Sequence, residues 1–343
     1  MKTNDDNEIQ KKKYQAYLKG PRRFSSKTVD KKMQSLYRFD DFLKGKSYKE
    51  FNQKTAREFQ SSICKLTFRG TRVSARTIYQ TLQDVKDFLI WLSMRPGYKS
   101  KVHYDHIEYL NPSREIKRKA LNRSPRMYPM SLNYVKKLVL GIRGDSELDR
   151  RDRAIISILI CTGIRVEALA TLPLCCIDIQ NRLIDQDPAK GVKTKFQSRI
   201  TTRILPIDSI FTEAIREWVM FLVNRNLDSM HPLFPKAAIT HQQESFSFIN
   251  NSVSDRFLKA NSQISRILKN RCAEIGEKYY SAHTFRHLHV RLMEKIAKKP
   301  EQLKALSQNL GHKNLMTTLS NYGYISEADQ IEILENLDWG EVR

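Results

Sequence analysis

Residues 176–187, CIDIQNRLIDQD, and residues 193–207, KTKFQSRITTRILPI, decide the fold class of the C-terminal half. In both, β-branched and aliphatic residues alternate with polar ones, and turn-forming residues lie between the two stretches. Alternation puts every second side chain on one face of a pleated strand, so the pair predicts a small antiparallel sheet. On either side the apolar spacing is helical: Leu132 to Leu140 and Asp152 to Cys161 before it, and the whole chain from Phe211 onward after it. A sheet inserted among helices makes this half α+β.

The N-terminal half has no such alternation. Val29, Met33, Leu36, Tyr37, Phe39 and Phe42 recur at three- and four-residue steps, as do Ile78, Leu82, Val85, Phe88, Leu89 and Leu92. Ser74 is placed to cap the second of these helices. The reading is therefore a small helical domain over residues 25–115 with basic faces. Residues 1–24, polar and carrying Lys11-Lys12-Lys13, read as a flexible basic arm. Between residues 94 and 130 the periodicity gives way to Pro96, Pro112, Pro125 and Pro129. Proline interrupts both helix and sheet, so residues 116–130 are assigned as a linker and 131–343 as the second domain. The expected architecture is mostly α with a small antiparallel sheet, built as two domains.

Of 343 residues, 60 are Lys or Arg and 37 are Asp or Glu, a formal net charge of +23. So large a basic excess repels itself in a compact fold and points to a polyanionic partner, with nucleic acid first. A hydrophobic content of 40% supports real cores and excludes a disordered composition. The five cysteines form no C-x-x-C pair, which speaks against a disulfide framework or a zinc ribbon and fits a reducing cytoplasm. The longest apolar stretch, near Ala154 to Cys161, is too short to span a bilayer. A soluble, cytoplasmic protein with no membrane partner is expected.

Three clusters carry groups able to do chemistry. In CTGIRVEALATL, residues 161–172, a helix should stop at Gly163 and another begin near Arg165. A helix start disfavours a cation and favours an anion such as phosphate, although a surface arginine turned to water fits the same pattern. In SAHTFRHLHVRL, residues 281–292, His283 and Arg286 lie one turn apart and share a helix face. A guanidinium and an imidazole together suit a phosphate. His283 and His287 at i, i+4 also suggest a metal, but Thr284 stands where a zinc hydrolase needs glutamate. In LSQNLGHKNLMTTLSNYGY, residues 306–324, Gly311 should end a helix, leaving His312 at a junction and Tyr322 near the end of the next helix. Two arginines, two histidines and a tyrosine, with no clustered acids to hold metal ions, fit phosphoryl transfer through a tyrosyl intermediate.

The order TGIR, HTFRH, LGH and Tyr resembles the signature of the tyrosine recombinase, or phage integrase, family over residues 128–324, and the helical first half resembles that family's core DNA-binding domain. The resemblance implies a two-domain clamp around double-stranded DNA. It implies Arg165 and Arg286 as the pair that grips the scissile phosphate, His283 beside them, His312 as the second histidine and Tyr322 as the nucleophile. It also implies a hairpin lysine, for which Lys195 is chosen over Lys193. The implied reaction needs no metal, ATP or other cofactor, leaves a 3′-phosphotyrosyl link, and is run by a homotetramer on two DNA sites. Two departures stand out. His312 and Tyr322 are ten positions apart where nine is common, which fits a branch with tyrosine followed by glycine and leaves Tyr324 as a competitor. The acid after the first arginine is at Glu167, one residue earlier than in many members. Ile331, Leu334 and Leu337 form an apolar stripe in residues 326–339, either core in its own subunit or a tail that docks in a neighbour. Alternatives are a type IB topoisomerase and a non-catalytic DNA-binding protein.

Overall fold

The computed structural model describes residues 4–68, 70–121, 130–238, 252–258 and 260–312, with Ile331 and Glu335. The chain divides into two compact units, Met1–Arg126 and Met127–Arg343, each with its own apolar core.

In the first unit six helices, α1 (Asp5–Lys19), α2 (Ser26–Leu43), α3 (Gln53–Lys65), α4 (Ala75–Ser93), α5 (Tyr104–Glu108) and α6 (Arg114–Leu121), enclose an aromatic core. A two-residue hairpin, β1 (Thr67–Phe68) and β2 (Thr71–Arg72), joins α3 to α4. Most of the periodic residues of α2 and α4 face inward as their spacing requires: Val29, Leu36, Phe39, Leu82, Val85, Phe88 and Leu89 are fully buried, whereas Tyr37, counted in the same period, is 51% exposed. Ser74 caps α4, accepting from the Thr77 amide at 3.2 Å.

Two expectations are corrected here. The stretch read as a flexible arm over residues 1–24 is not one where it is described, because Asp5–Lys19 form α1. Asn4 caps it, Asp5, Asp6 and Glu8 suit the positive first turn, and Tyr14 and Leu18 enter the core. Lys11, from the lysine run, is buried and paired with Glu8 at 2.7 Å and with Asp40. The linker does not begin at residue 116 either. No proline falls between Pro112 and Pro125, so α6 forms there; the Ser113 hydroxyl accepts from the Ile116 amide at 3.3 Å, and Ala120 is buried.

The second unit is built on α8 (Glu147–Thr162), which follows α7 (Leu132–Gly141). Every residue of α8 from Ala154 to Thr162 is buried, so the helix is wrapped on all sides. After the one-turn α9 (Val166–Leu169) comes the antiparallel sheet β3 (Ile177–Asp178), β4 (Leu183–Gln186) and β5 (Ile200–Arg203), in that order. Its register pairs Ile184 with Thr202 and Gln186 with Ile200, in the segments whose alternation predicted it. α10 (Ser209–Val223) packs on α8. A second hairpin, β6 (Pro235–Ala237) with β7 (Val253–Phe257), leads to α11 (Ala260–Glu274), α12 (Ala282–Ile296) and α13 (Pro300–Asn309). β6 and β7 interrupt what the spacing presents as uninterrupted helix beyond Phe211; β6 opens on a proline and β7 carries three successive polar residues, Ser254, Asp255 and Arg256, so neither shows the alternation that marks a strand. The molecule is mostly helical with small antiparallel sheets. Among the described residues, no helix is long and apolar enough to cross a membrane.

Candidate functional site

The site begins where α8 stops. Gly163 adopts the left-handed region at φ +59° and returns its amide to the Leu159 carbonyl at 3.1 Å. A Cβ there would lie 2.9 Å from both His289 Cδ2 and Leu310 Cδ2, so conformation and crowding alike require glycine. The turn leaves Arg165 half-buried at the N-cap of α9, with extended backbone. A helix start near Arg165, as the glycine implied, is what the chain forms.

α12 brings the second arginine to this turn. Arg286, 3% exposed, sends one guanidinium nitrogen to the Gly163 carbonyl and the other to the Leu310 carbonyl at 2.9 Å. The second nitrogen also lies 2.9 Å from His312 Nε2. Because guanidinium only donates, Nε2 accepts, and the His312 proton belongs on Nδ1. Burial, then the charges of Arg286, Arg165 and Lys195, push His312 down to about 4. It is therefore neutral at pH 7. His283, in the first turn of α12, keeps an outer face open to solvent. Partial desolvation, then Arg286 and Arg165, hold it below its ordinary value. His283 also meets His287 edge to face, ring centroids 4.6 Å apart.

His312 is set by the end of α13 and by the sheet. The Asn309 side-chain oxygen accepts from the Arg203 amide at 2.6 Å, and its carbonyl accepts from the Thr202 hydroxyl at 2.9 Å. Gly311, at φ +68°, passes so close to β5 that a Cβ would meet Ile200 Cδ1 at 2.5 Å. Between β4 and β5 lies the turn with Lys193 and Lys195, both exposed. The Lys193 amide donates to the Thr171 hydroxyl at 2.9 Å, tying the turn to the end of α9. Arg199 grips Asp185 through two contacts, 2.9 and 2.7 Å, bracing the hairpin stem.

Five of the six residues singled out from sequence are thus placed. Arg286 and His312 bond directly, and the charges of Arg165 and Lys195 bear on His312, as Arg165 and Arg286 do on His283. Tyr322, with its competitor Tyr324, lies outside the described residues, as does the C-terminal stripe except Ile331, which is exposed. Sequence reading passed over His289. It is buried, bonds the Ile160 carbonyl through Nδ1 at 2.6 Å, and packs on Gly163. The signal was present: His289 follows Arg286 by three residues and so shares its face.

Residues 130–328, more than half of the chain, match the family model described as the phage integrase family. The chain belongs to the phage integrase family. It is, by that membership, a tyrosine-type site-specific DNA recombinase. Similar proteins include the ICEBs1 integrase of Bacillus subtilis strain 168, 24% identical over 280 residues, covering 81% of this chain and 72% of that relative. The tyrosine recombinase XerC of Pseudomonas syringae pv. tomato is 23% identical over 305 residues, covering 89% of this chain and 88% of the relative. Among solved structures, a lambda integrase dimer bound to a COC' core site superposes with a TM-score of 0.61 at 15% identity, over 94% of this chain and 77% of that one. The Tn1549 transposon integrase in complex with transposon right end DNA gives 0.58 at 15% identity, over 96% and 99%. These likenesses concern the fold.

Proposed function

We propose that the enzyme cuts and rejoins double-stranded DNA through a covalent bond between Tyr322 and a 3′-phosphate, without metal or ATP. The observation that carries this is Arg286, a buried guanidinium bonded to Gly163, Leu310 and His312, which joins the TGIR, HTFRH and LGH segments at one point. Arg165 and Arg286 bind the non-bridging oxygens, whose charge grows in the transition state. The Tyr322 phenol, with an ordinary pKa near 10, loses its proton to neutral His283 as its oxygen bonds to phosphorus. His312, its Nε2 already accepting from Arg286, orients that arginine. The bond from phosphorus to the 5′ oxygen breaks, and the Lys195 ammonium protonates the leaving oxygen. That His312 feels the Lys195 charge favours Lys195 over Lys193 for this role. The phosphotyrosyl link keeps the bond energy, and a 5′-hydroxyl from a second duplex reverses the step.

The reading includes a homotetramer acting on two sites of double-stranded DNA, and a branch in which glycine follows the nucleophile, as Gly323 follows Tyr322. Free thiols at all five cysteines suit the cytoplasm. The test is a nicked suicide duplex selected by covalent capture of the chain from a random-sequence library. Denaturing gels should show a protein–DNA band for the wild type and none for Tyr322→Phe. A band that persists in the mutant puts the nucleophile elsewhere, with Tyr324 first in line. Supercoil relaxation on plasmids of arbitrary sequence would favour a type IB topoisomerase instead.

A further inference from the structure

At the tip of the β4–β5 turn, Phe196 is 80% exposed, more than any other large hydrophobic side chain among the described residues. Its backbone is left-handed, φ 61° and ψ 22°, and the next residue, Gln197, is left-handed as well at φ 51°. Two successive non-glycine residues in this region are strained, and an exposed phenyl ring gains nothing from water. Strain of this kind persists where the surroundings enforce it, and here the stem does, through the Arg199–Asp185 clamp and the Lys193–Thr171 bond. The conformation aims the ring outward beside Lys195, whose ammonium lies 4.9 Å from the ring centroid. A hairpin meant only to meet phosphate needs cations at its tip, not a phenyl ring. A ring held out of a basic turn fits the apolar face of a nucleobase or deoxyribose in a groove.

We propose that Phe196 is a positioning residue: it packs against the nucleoside flanking the scissile phosphate and thereby fixes Lys195 at the leaving 5′ oxygen. This rests on the reading of Lys195 as general acid. The two ideas separate in one experiment. The suicide duplex described above is made in two forms, all-oxygen and with sulfur replacing the bridging 5′ oxygen at the cleavage position. In the sulfur form the phenolic oxygen–phosphorus bond forms, the phosphorus–sulfur bond breaks, and sulfur leaves as a thiolate that needs no proton donor.

On all-oxygen DNA, single-turnover cleavage should slow roughly 100-fold or more for Lys195→Ala, the range lost with a general acid. Phe196→Ala should slow it about 10-fold or more, the scale of one lost stacking contact, while Phe196→Trp stays near wild type. On sulfur-bridged DNA both alanine variants should recover to within about threefold of wild type, since the lost function is proton delivery. An unimpaired Phe196→Ala on all-oxygen DNA overturns the proposal. So does a Phe196→Ala defect that survives on sulfur-bridged DNA while the Lys195→Ala defect is rescued. If Lys195→Ala is not rescued, the general-acid assignment itself falls, and the inference with it.

Discussion

Gly311→Ala isolates how tightly His312 is held. The alanine must sit at φ +68°, which costs an L-residue about 1–2 kcal/mol. Its methyl would lie 2.5 Å from Ile200 Cδ1 and 3.0 Å from Cγ1 and Cγ2, and Ile200 is itself buried on β5. Relieving such overpacking typically costs another ~1–3 kcal/mol. Stiffening the unfolded chain returns about 0.4–1 kcal/mol. The net is a loss of roughly 1–5 kcal/mol, which for a unit of this size lowers the melting temperature by roughly 2–20 °C. Differential scanning calorimetry on the full chain measures it. Ile200→Val removes the atom closest to the new methyl. Alone it should cost about 1 kcal/mol. In the Gly311→Ala background it should cost nothing or restore stability, a coupling of roughly 1 kcal/mol. If Gly311→Ala melts with the wild type, or the two changes simply add, then Gly311 does not pack on Ile200 as described.

Stability should also fall in acid. His289 titrates at about 4 in the fold, pushed down first by burial, against an ordinary 6.5, so the unfolded chain binds more protons between those values. Its contribution is complete above pH 6.5 and lost as pH falls toward 4; at 1.36 kcal/mol per unit this is about 3 kcal/mol. His312, shifted the same way, adds to it. Urea melts at pH 7 and pH 4.5 that agree would contradict this. Lys193→Ala should leave cleavage within about threefold of wild type, whereas Lys195→Ala loses roughly 100-fold; gel-quantified rates of covalent product that rank them the other way reverse the assignment. Affinity for any duplex should fall steeply with salt, log K against log salt having a slope near −0.9 per phosphate neutralised; a shallow slope would mean the basic surface does not lie along DNA.

Most of the secondary structure that frames the site was legible. The alternation in residues 176–187 and 193–207 gave the sheet, and Gly163 gave both the end of α8 and the place of Arg165. What escaped notice has physical causes. α1 looked like a solvated arm because its lysine run hid one face, Asn7, Tyr14 and Leu18, and burial of Lys11 depends on Asp40, twenty-nine residues away. At the site, residue types and spacing gave the candidates but not the joint. The partners of Arg286 are main-chain carbonyls, and every residue has one, so no sequence pattern could single out Gly163 and Leu310. Phe196 was invisible for a similar reason: in an alternating segment an aromatic reads as an inward strand position, and only the left-handed turn sends it out.

The joint at Arg286 ties a turn 123 residues upstream to a helix end 24 residues downstream. Contacts so remote along the chain close late in folding, since the loops between them must be ordered first. A half-folded copy keeps its positive charge but lacks this joint, so on the function proposed above it would meet DNA without gripping a scissile phosphate.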